Sequence, residues 1–328
     1  MKLLVTGGLG FIGSNFARYY LEQYPNDSMV NLDKQTYAAS PIAFNELKRY
    51  ANYKFIAGDI CDRELVLKLT ESVDAIVHFA AETHVDRSIE NPLPFLETNV
   101  LGTLNLLEGA RLNHVKRFHH ISTDEVYGSL DLQTKEKFSE STNYNPRNPY
   151  SVSKAASDFY VKAYHETYQL QTTITNCSNN FGPYQNPEKL IPKSILNAFY
   201  DKPIPVYGDG KNVRDWLYVG DHCSAIDLVL KDGKPGETYC VSAGNELSNI
   251  ELVRMILEME GKTDSLIQFV NDRPGHDRRY ALDATKIRSG LGWRPKHEFS
   301  ESLAMTVEWY KEHQDSLLEN VQGFDHGK

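Results

Sequence analysis

Short apolar runs alternate with stretches of helical period through the first half of the chain. Residues 2–6, 29–33, 53–57, 74–80, 117–122 and 172–176 read as strands. Residues 13–24, 63–71, 94–113 and 150–168 carry apolar positions at helical spacing between them. Strand–helix alternation of this kind predicts an α/β fold of the Rossmann type. In such a fold a doubly wound parallel sheet is covered on both faces, with right-handed crossovers.

Beyond residue 176 the pattern changes. Residues 181–193 are rich in Pro, Asn and Gly and read as a long loop. Residues 204–214, with Pro205, Gly208 and Gly210, read as strands and turns. Helical period returns at 221–230, 249–260 and 300–314. The expectation is a first domain over 1–176, joined by part of 211–245, and a smaller mixed α/β ligand-binding domain over 177–328. No tandem repeat or long linker separates the two, so they are expected to pack tightly.

Composition narrows the class. With 328 residues and 41% hydrophobic side chains the chain can bury a sizeable core. A net charge of −9 argues against a broad nucleic-acid surface. It leaves room for an anionic small ligand, because a few local arginines overrule the global sign. Cys61, Cys177, Cys223 and Cys240 lie far apart without metal spacing and read as free thiols of a reducing compartment. The run Leu3-Leu4-Val5 is broken at once by glycines, and no stretch reaches the ~20 apolar residues of a membrane span. A cytoplasmic protein is expected.

The chemistry begins at Gly7-Gly8-Leu9-Gly10-Phe11-Ile12-Gly13, directly after a strand and opening a helix. Glycines at these positions let backbone N–H groups approach a pyrophosphate, and the helix N-terminus favours the anion. Asp33 ends the second strand, where a carboxylate can accept from both ribose hydroxyls of an adenosine and repel a 2′-phosphate. NAD is therefore expected over NADP. Asp59-Ile60, after the third strand, is placed to bracket the adenine. Tyr150 and Lys154 stand four apart on one helix face. An ammonium nearby lowers a phenol's pKa, so Tyr150 is the expected base that takes a hydroxyl proton while a hydride leaves the same carbon. Thr123-Asp124-Glu125 leaves the fifth strand at the ligand end of the sheet. Thr123 can bond a sugar hydroxyl. The two carboxylates should diverge and differ in pKa, one suited to an acid and one to a base; a solvated acidic turn is the alternative. His119 and His120 point to opposite faces of a strand, and His78 reads as a satisfied core residue, so no metal site is expected. Arg214, Arg273, Arg278 and Arg279 offer forks for a phosphate, though spacing alone does not say which of them face it.

With these motifs the chain resembles the extended short-chain dehydrogenases/reductases, and among them the dTDP-glucose 4,6-dehydratase family. The matching segments are TGGLGFIGS, LDKQTYA, AAETHVDRS, ETNVLGT, STDEVYG, NPYSVSK, NCSNNFGPYQNPEKLIP, VYGDGKNVRDWLYV and DRPGHDRRYALD, spread over nearly the full length. The resemblance implies that NAD is held by Gly7, Gly10, Phe11, Ile12, Gly13, Asp33, Lys34, Thr36, Asp59, Ile60, Ala80, Ala81, Thr83, Asn99, Tyr150 and Lys154, with Lys154 on the nicotinamide ribose. It implies contacts to a nucleotide-sugar from His84, Thr123, Asn179, Glu188, Lys189, Leu190, Pro205, Tyr207, Arg214, Asn249, Arg273 and His276. It further implies a cycle. Tyr150 deprotonates the carbon-4 hydroxyl as NAD takes the hydride, Glu125 removes the carbon-5 proton, Asp124 protonates the departing carbon-6 hydroxyl, and the hydride returns to carbon 6. The product is a 4-keto-6-deoxy sugar. A homodimer through 94–113 and 150–168 belongs to the same expectation. Phe181 and Asn176 stand where the family often has tyrosine and arginine. A nucleotide-sugar epimerase, a dehydratase for another nucleobase, and a non-catalytic NAD-binding redox sensor are the alternatives; the Asp124-Glu125 pair disfavours the epimerase.

Overall fold

The structure, a computed structural model, describes residues 1–324, with side chains through Leu317. Leu3, Leu4 and Val5 are consecutive and all fully buried. Leu3 and Val5 pack with Phe16, Tyr20 and Ile226 on one face of the sheet, and Leu4 packs with Leu106 and Phe118 on the other. That alternation is what a strand sandwiched between two helical layers requires.

Seven parallel strands make the main sheet, in the order Thr238–Val241, Thr172–Cys177, Arg117–Thr123, Ala75–His78, Lys2–Thr6, Ser28–Asp33 and Tyr53–Ala57. The order reverses between Lys2–Thr6 and Ala75–His78, so a crevice opens there beyond the strands' carboxyl ends. The six expected strands are present. The seventh, Thr238–Val241, lies 61 residues after Cys177 and pairs with Thr172–Cys177.

The second half adds two small sheets. Glu246–Ser248, Val213–Tyr218 and Asn179–Phe181 form one, and Ile267–Val270 pairs with Ile204–Tyr207 in the other. Ile191, Ile195, Leu252, Ile256, Leu303 and Val307 form their core, supplied by helices Leu190–Phe199, Asn249–Met259 and Phe299–Phe324.

Two expected elements are corrected. Residues 181–193 are not one loop: Asn179–Phe181 is a strand and a helix begins at Leu190, its apolar face at Ile191 and Ile195 buried. Residues 94–113 are not one regular helix. A π-helical segment, Leu96–Gly102, separates the short helix Leu93–Phe95 from Thr103–Leu112. The carbonyl of Asn99 is taken by the hydroxyls of Thr103 at 2.5 Å and Ser157 at 2.6 Å, which compensates the widened turn.

Candidate active site

One cleft crosses the switch point. It takes in about 1670 Å³, counting the space open to solvent. Its walls include Gly7, Gly10, Phe11, Ile12, Gly13, Asp33, Lys34, Thr36, Asp59, Ile60, Ala80, Ala81 and Thr83 at one end, and Thr123, Asp124, Glu125, Tyr150, Lys154, Asn179, Glu188 and Lys189 at the other.

The glycine turn fits a dinucleotide. Gly7 has φ +70°, and a Cβ there would lie 2.6 Å from the Ala80 nitrogen; a Cβ on Gly13 would lie 2.2 Å from the Gly7 carbonyl oxygen. The helix Phe11–Gln23 has neither a side-chain N-cap nor an acidic residue in its first turn, so its leading N–H groups are left for an anion. Asp33 is buried and accepts from the backbone N–H of Leu9 at 2.9 Å and of Gln35 at 2.8 Å, one on each oxygen. Each oxygen keeps a lone pair for a ribose hydroxyl. Lys34 is paired with Asp59 at 2.7 Å across the cleft rim.

At the far end local sequence sets the frame. Asn148 and Ser151 form a reciprocal capping box, and Pro149 starts the helix Pro149–Tyr168, which fixes where Tyr150 enters the cleft. Thr123 ends its strand and accepts from the Glu125 N–H at 3.2 Å, closing a tight turn over Asp124–Tyr127. The carboxylates meet different surroundings. Asp124 is 2% exposed and its Oδ2 has no hydrogen-bond partner. Burial, and then Glu125, hold its carboxyl well above the usual carboxylate range. Glu125 is half-buried, and Asn148 donates to it at 3.4 Å. Burial raises Glu125 too, but Arg273 and Asn148 pull it back. Of the two, Asp124 is thus the better proton donor and Glu125 the better acceptor.

Tyr150 departs from expectation. Burial, and then the Glu125 carboxylate, hold its hydroxyl well above the ordinary phenol range. Lys154 does share its helix face, but the ammonium donates to the Ile121 carbonyl at 2.8 Å and lies 3.3 Å from His120 Nε2. Burial brings Lys154 down to about 8.

The family model of GDP-mannose 4,6 dehydratase matches residues 4–306. The Low-salt glycan biosynthesis protein Agl12 of Haloferax volcanii is 51% identical over 310 residues, 94% of this chain and 98% of that protein. The dTDP-glucose 4,6-dehydratase of Xanthomonas campestris is 50% identical over 327 residues, 94% of this chain and 92% of that one. Among solved structures, the dTDP-glucose 4,6-dehydratase DesIV of Streptomyces venezuelae, with NAD bound, superposes with TM-score 0.93 at 48% identity, covering 96% of this chain and 98% of that one. The chain belongs to this dehydratase family.

Family membership makes the residues outside the cleft's inner wall informative. Arg214 sits on the strand Val213–Tyr218, 3.0 Å from His276, and its charge acts on both Asp124 and Glu125. Tyr207, closing the strand Ile204–Tyr207 that also carries Pro205, stacks edge-on against His276. Arg273 is paired with Asp86 at 3.5 Å, and Asp86 also accepts from Tyr207 at 3.4 Å. His84 and Arg87 both reach Glu188, at 3.5 and 3.4 Å. Leu190 and Asn249 open the helices Leu190–Phe199 and Asn249–Met259. Among the described residues the Lys189 ammonium has no ion pair, although it lines the cleft.

Asn99 is not a wall residue. Its amide accepts from the Glu82 N–H at 2.8 Å and donates to the Glu82 carbonyl at 3.0 Å and to Ser153 at 2.8 Å, so it fastens the wall from behind. Thr98, one residue earlier in the π-helical segment, lines the cleft. Periodicity could not have signalled this. The wall residues Tyr37, Phe79, Glu82, Ser122, Cys177 and Gln185 were also unread.

Proposed function

We propose that the chain converts dTDP-glucose to dTDP-4-keto-6-deoxyglucose and water, a step of deoxysugar biosynthesis. The observation that carries this reading is the pair Asp124–Glu125. One carboxyl is buried with a free oxygen and shifted strongly toward its protonated form, and the other is less shifted beside it, both next to Tyr150 in a cleft that begins at a dinucleotide turn.

NAD, when bound, supplies the hydride acceptor at the first step and the donor at the last, and its nicotinamide charge favours the Tyr150 phenolate. Gly7, Gly10, Phe11, Ile12 and Gly13 would hold the pyrophosphate, Asp33 the adenosine ribose, Asp59 and Ile60 the adenine, and Lys154 the nicotinamide ribose. Tyr150 removes the carbon-4 hydroxyl proton. Protonation of Asp124 cancels one of the two negative charges that oppose the phenolate. The carbonyl formed at carbon 4 acidifies carbon 5, and Glu125 takes that proton. Asp124 gives its proton to the departing carbon-6 oxygen, which leaves as water. Arg214, Arg273 and Lys189 suit the diphosphate, with His84, Asn179, Glu188, Tyr207 and His276 around the sugar and base.

The exposed apolar side chains Leu93, Leu96, Leu101, Val152, Phe159 and Tyr160 lie on the segments 93–102 and 149–168. Such a patch on two packed helical segments suits a homodimer seam. Among the described residues no helix is long and apolar enough to cross a membrane, which accords with a cytoplasmic site. We assign the cofactor half to 1–176 plus part of 211–245, and the nucleotide-sugar half to 177–328.

The test is incubation of the purified protein with dTDP-glucose, UDP-glucose or GDP-mannose, following the 4-keto chromophore. A 4-keto sugar from dTDP-glucose alone is expected. Dehydration of only another nucleotide-sugar would redirect the substrate, and a product epimerised at carbon 4 without water loss would end the reading.

A further inference from the structure

Beneath the cleft floor, Tyr150, Lys154 and Asp158 stand at four-residue intervals on the helix Pro149–Tyr168, so one stripe runs from the pocket into the core. Lys154 is 4% exposed and Asp158 is fully buried. Asp158 Oδ2 accepts from Tyr144 at 2.8 Å, from Ser122 at 2.9 Å and from Asn176 at 3.3 Å. Its Oδ1 lies 3.3 Å from His120 Nε2. The same Nε2 lies 3.3 Å from the Lys154 ammonium. One imidazole nitrogen therefore stands between a cation on the cleft wall and an anion in the core.

We propose that Asp158, reaching Lys154 through His120, is the counter-charge that keeps the Lys154 ammonium in the dry floor of the cleft, so that His120 and Asp158 are positioning residues for the tyrosine's cationic neighbour. Three donors converging on one carboxylate oxygen make a site built for an anion. A buried anion is tolerated when paired, and every other titratable group facing the cluster is neutral. His78, with its ring centroid 5.1 Å from that of His120, is held far below neutral by burial. Burial takes His120 down to about 4 and pushes the Cys177 thiol up to about 12. Burial raises Tyr127 and Tyr144 far out of range. Asp158 itself stays below the ordinary carboxylate value despite its burial, through its hydrogen bonds and the Lys154 charge. With Nε2 unprotonated the ring accepts from Lys154, while Asp158 Oδ1, 3.3 Å from the same nitrogen, has no hydrogen-bond partner. The Asp158 charge acts on Lys154 across the ring.

This rests on the reading of Lys154 as Tyr150's partner, and the test separates the two. Melting temperatures of the NAD-loaded wild type, Lys154→Met, Asp158→Asn and the double variant form a cycle that needs no turnover. Any loss of cofactor grip at position 154 enters both Lys154 variants and cancels. The double variant is expected to melt well above the sum of the two single losses. In Lys154→Met, Asp158 loses its counter-charge and its folded pKa rises above the unfolded one. That contribution is present at low pH and fades as pH rises, so the variant's deficit grows from pH 5 to pH 8. This single variant carries the test if Asp158→Asn does not fold. Additive losses with a deficit flat in pH would overturn the proposal. In turnover, Asp158→Asn should move the alkaline limb of kcat down by about one unit with KM unchanged, and Asp158→Glu should return it. Coupled melting with an unmoved limb would uphold the pairing and remove Lys154 from the chemistry.

Discussion

At the glycine turn the polar groups of the cleft already have protein partners: Asp33 has two backbone N–H groups, Gly8 has the Asn31 side chain at 3.0 Å, and Lys34 has Asp59. At the sugar end of the same cleft the pairing is incomplete. Arg273 has Asp86 and Glu188 has His84, but Asp124 Oδ2 and Asn179 Oδ1 are buried without partners, and Lys189 makes no ion pair among the described residues. The first end is held in shape by the protein before any ligand arrives, which suits a cofactor that stays through many turnovers. The second keeps unspent polar groups whose cost is relieved only when substrate arrives, which is where preorganised charge contributes most to a reaction.

Four substitutions test that contrast, taken from the largest expected effect. Gly13→Ala pushes a methyl into the Gly7 carbonyl, which backbone cannot yield cheaply. NAD should be absent from the purified protein by absorbance and mass, with activity gone; a variant that retains NAD shows the turn to be more yielding than its geometry. Tyr150→Phe deletes only a hydroxyl and should cut the first oxidation by about 10²–10⁴-fold while nucleotide-sugar affinity, by calorimetry, stays within a few-fold. Near-normal turnover would take the base away from Tyr150.

Asp124→Asn should still oxidise carbon 4, so absorbance of reduced cofactor rises on mixing and persists as water loss slows by about 10²–10⁴-fold. The variant should also gain stability relative to wild type as pH rises. A carboxyl whose folded pKa is raised contributes stability below it and loses that contribution as pH climbs through it, and asparagine has no such loss. Equal pH dependence in the two proteins would contradict the protonated Asp124. The smallest effect is at Asp33. Asp33→Ser should narrow the preference for NAD over NADP without reversing it, since no arginine is supplied, and titration of both cofactors reads it directly.

The same contrast separates what the sequence could reveal from what it could not. The glycine turn, Asp33 and the Tyr150–Lys154 spacing are local, and each constraint acts within a strand–turn–helix or one helical turn, so residue order states it. The six strands expected before residue 177 are legible for the same reason. The seventh strand, the Arg273–Asp86 pairing and the Arg214–His276 contact join segments 60 to nearly 190 residues apart in the chain. No pattern within either segment signals the partner. Tyr150's raised pKa was missed because spacing reports which groups share a face, while the shift depends on how deeply the hydroxyl is buried and on carboxylates from another strand. Which arginines face a diphosphate is likewise not legible from spacing, and only the family resemblance singles out Arg214 and Arg273 as candidates.

The widened turn at Leu96–Gly102 has a consequence in helical phase. One residue advances an α-helix by about 100°. Winding the same residues as an ordinary α-helix would rotate everything from Thr103 onward by about that angle against the wall it supports. Asn99 would lose its grip on Glu82, and Leu106, Leu107 and Ala110 would swing away from the sheet they cover. A stretch that carries no reacting group is thereby fixed in winding as strictly as the glycine turn is fixed in composition.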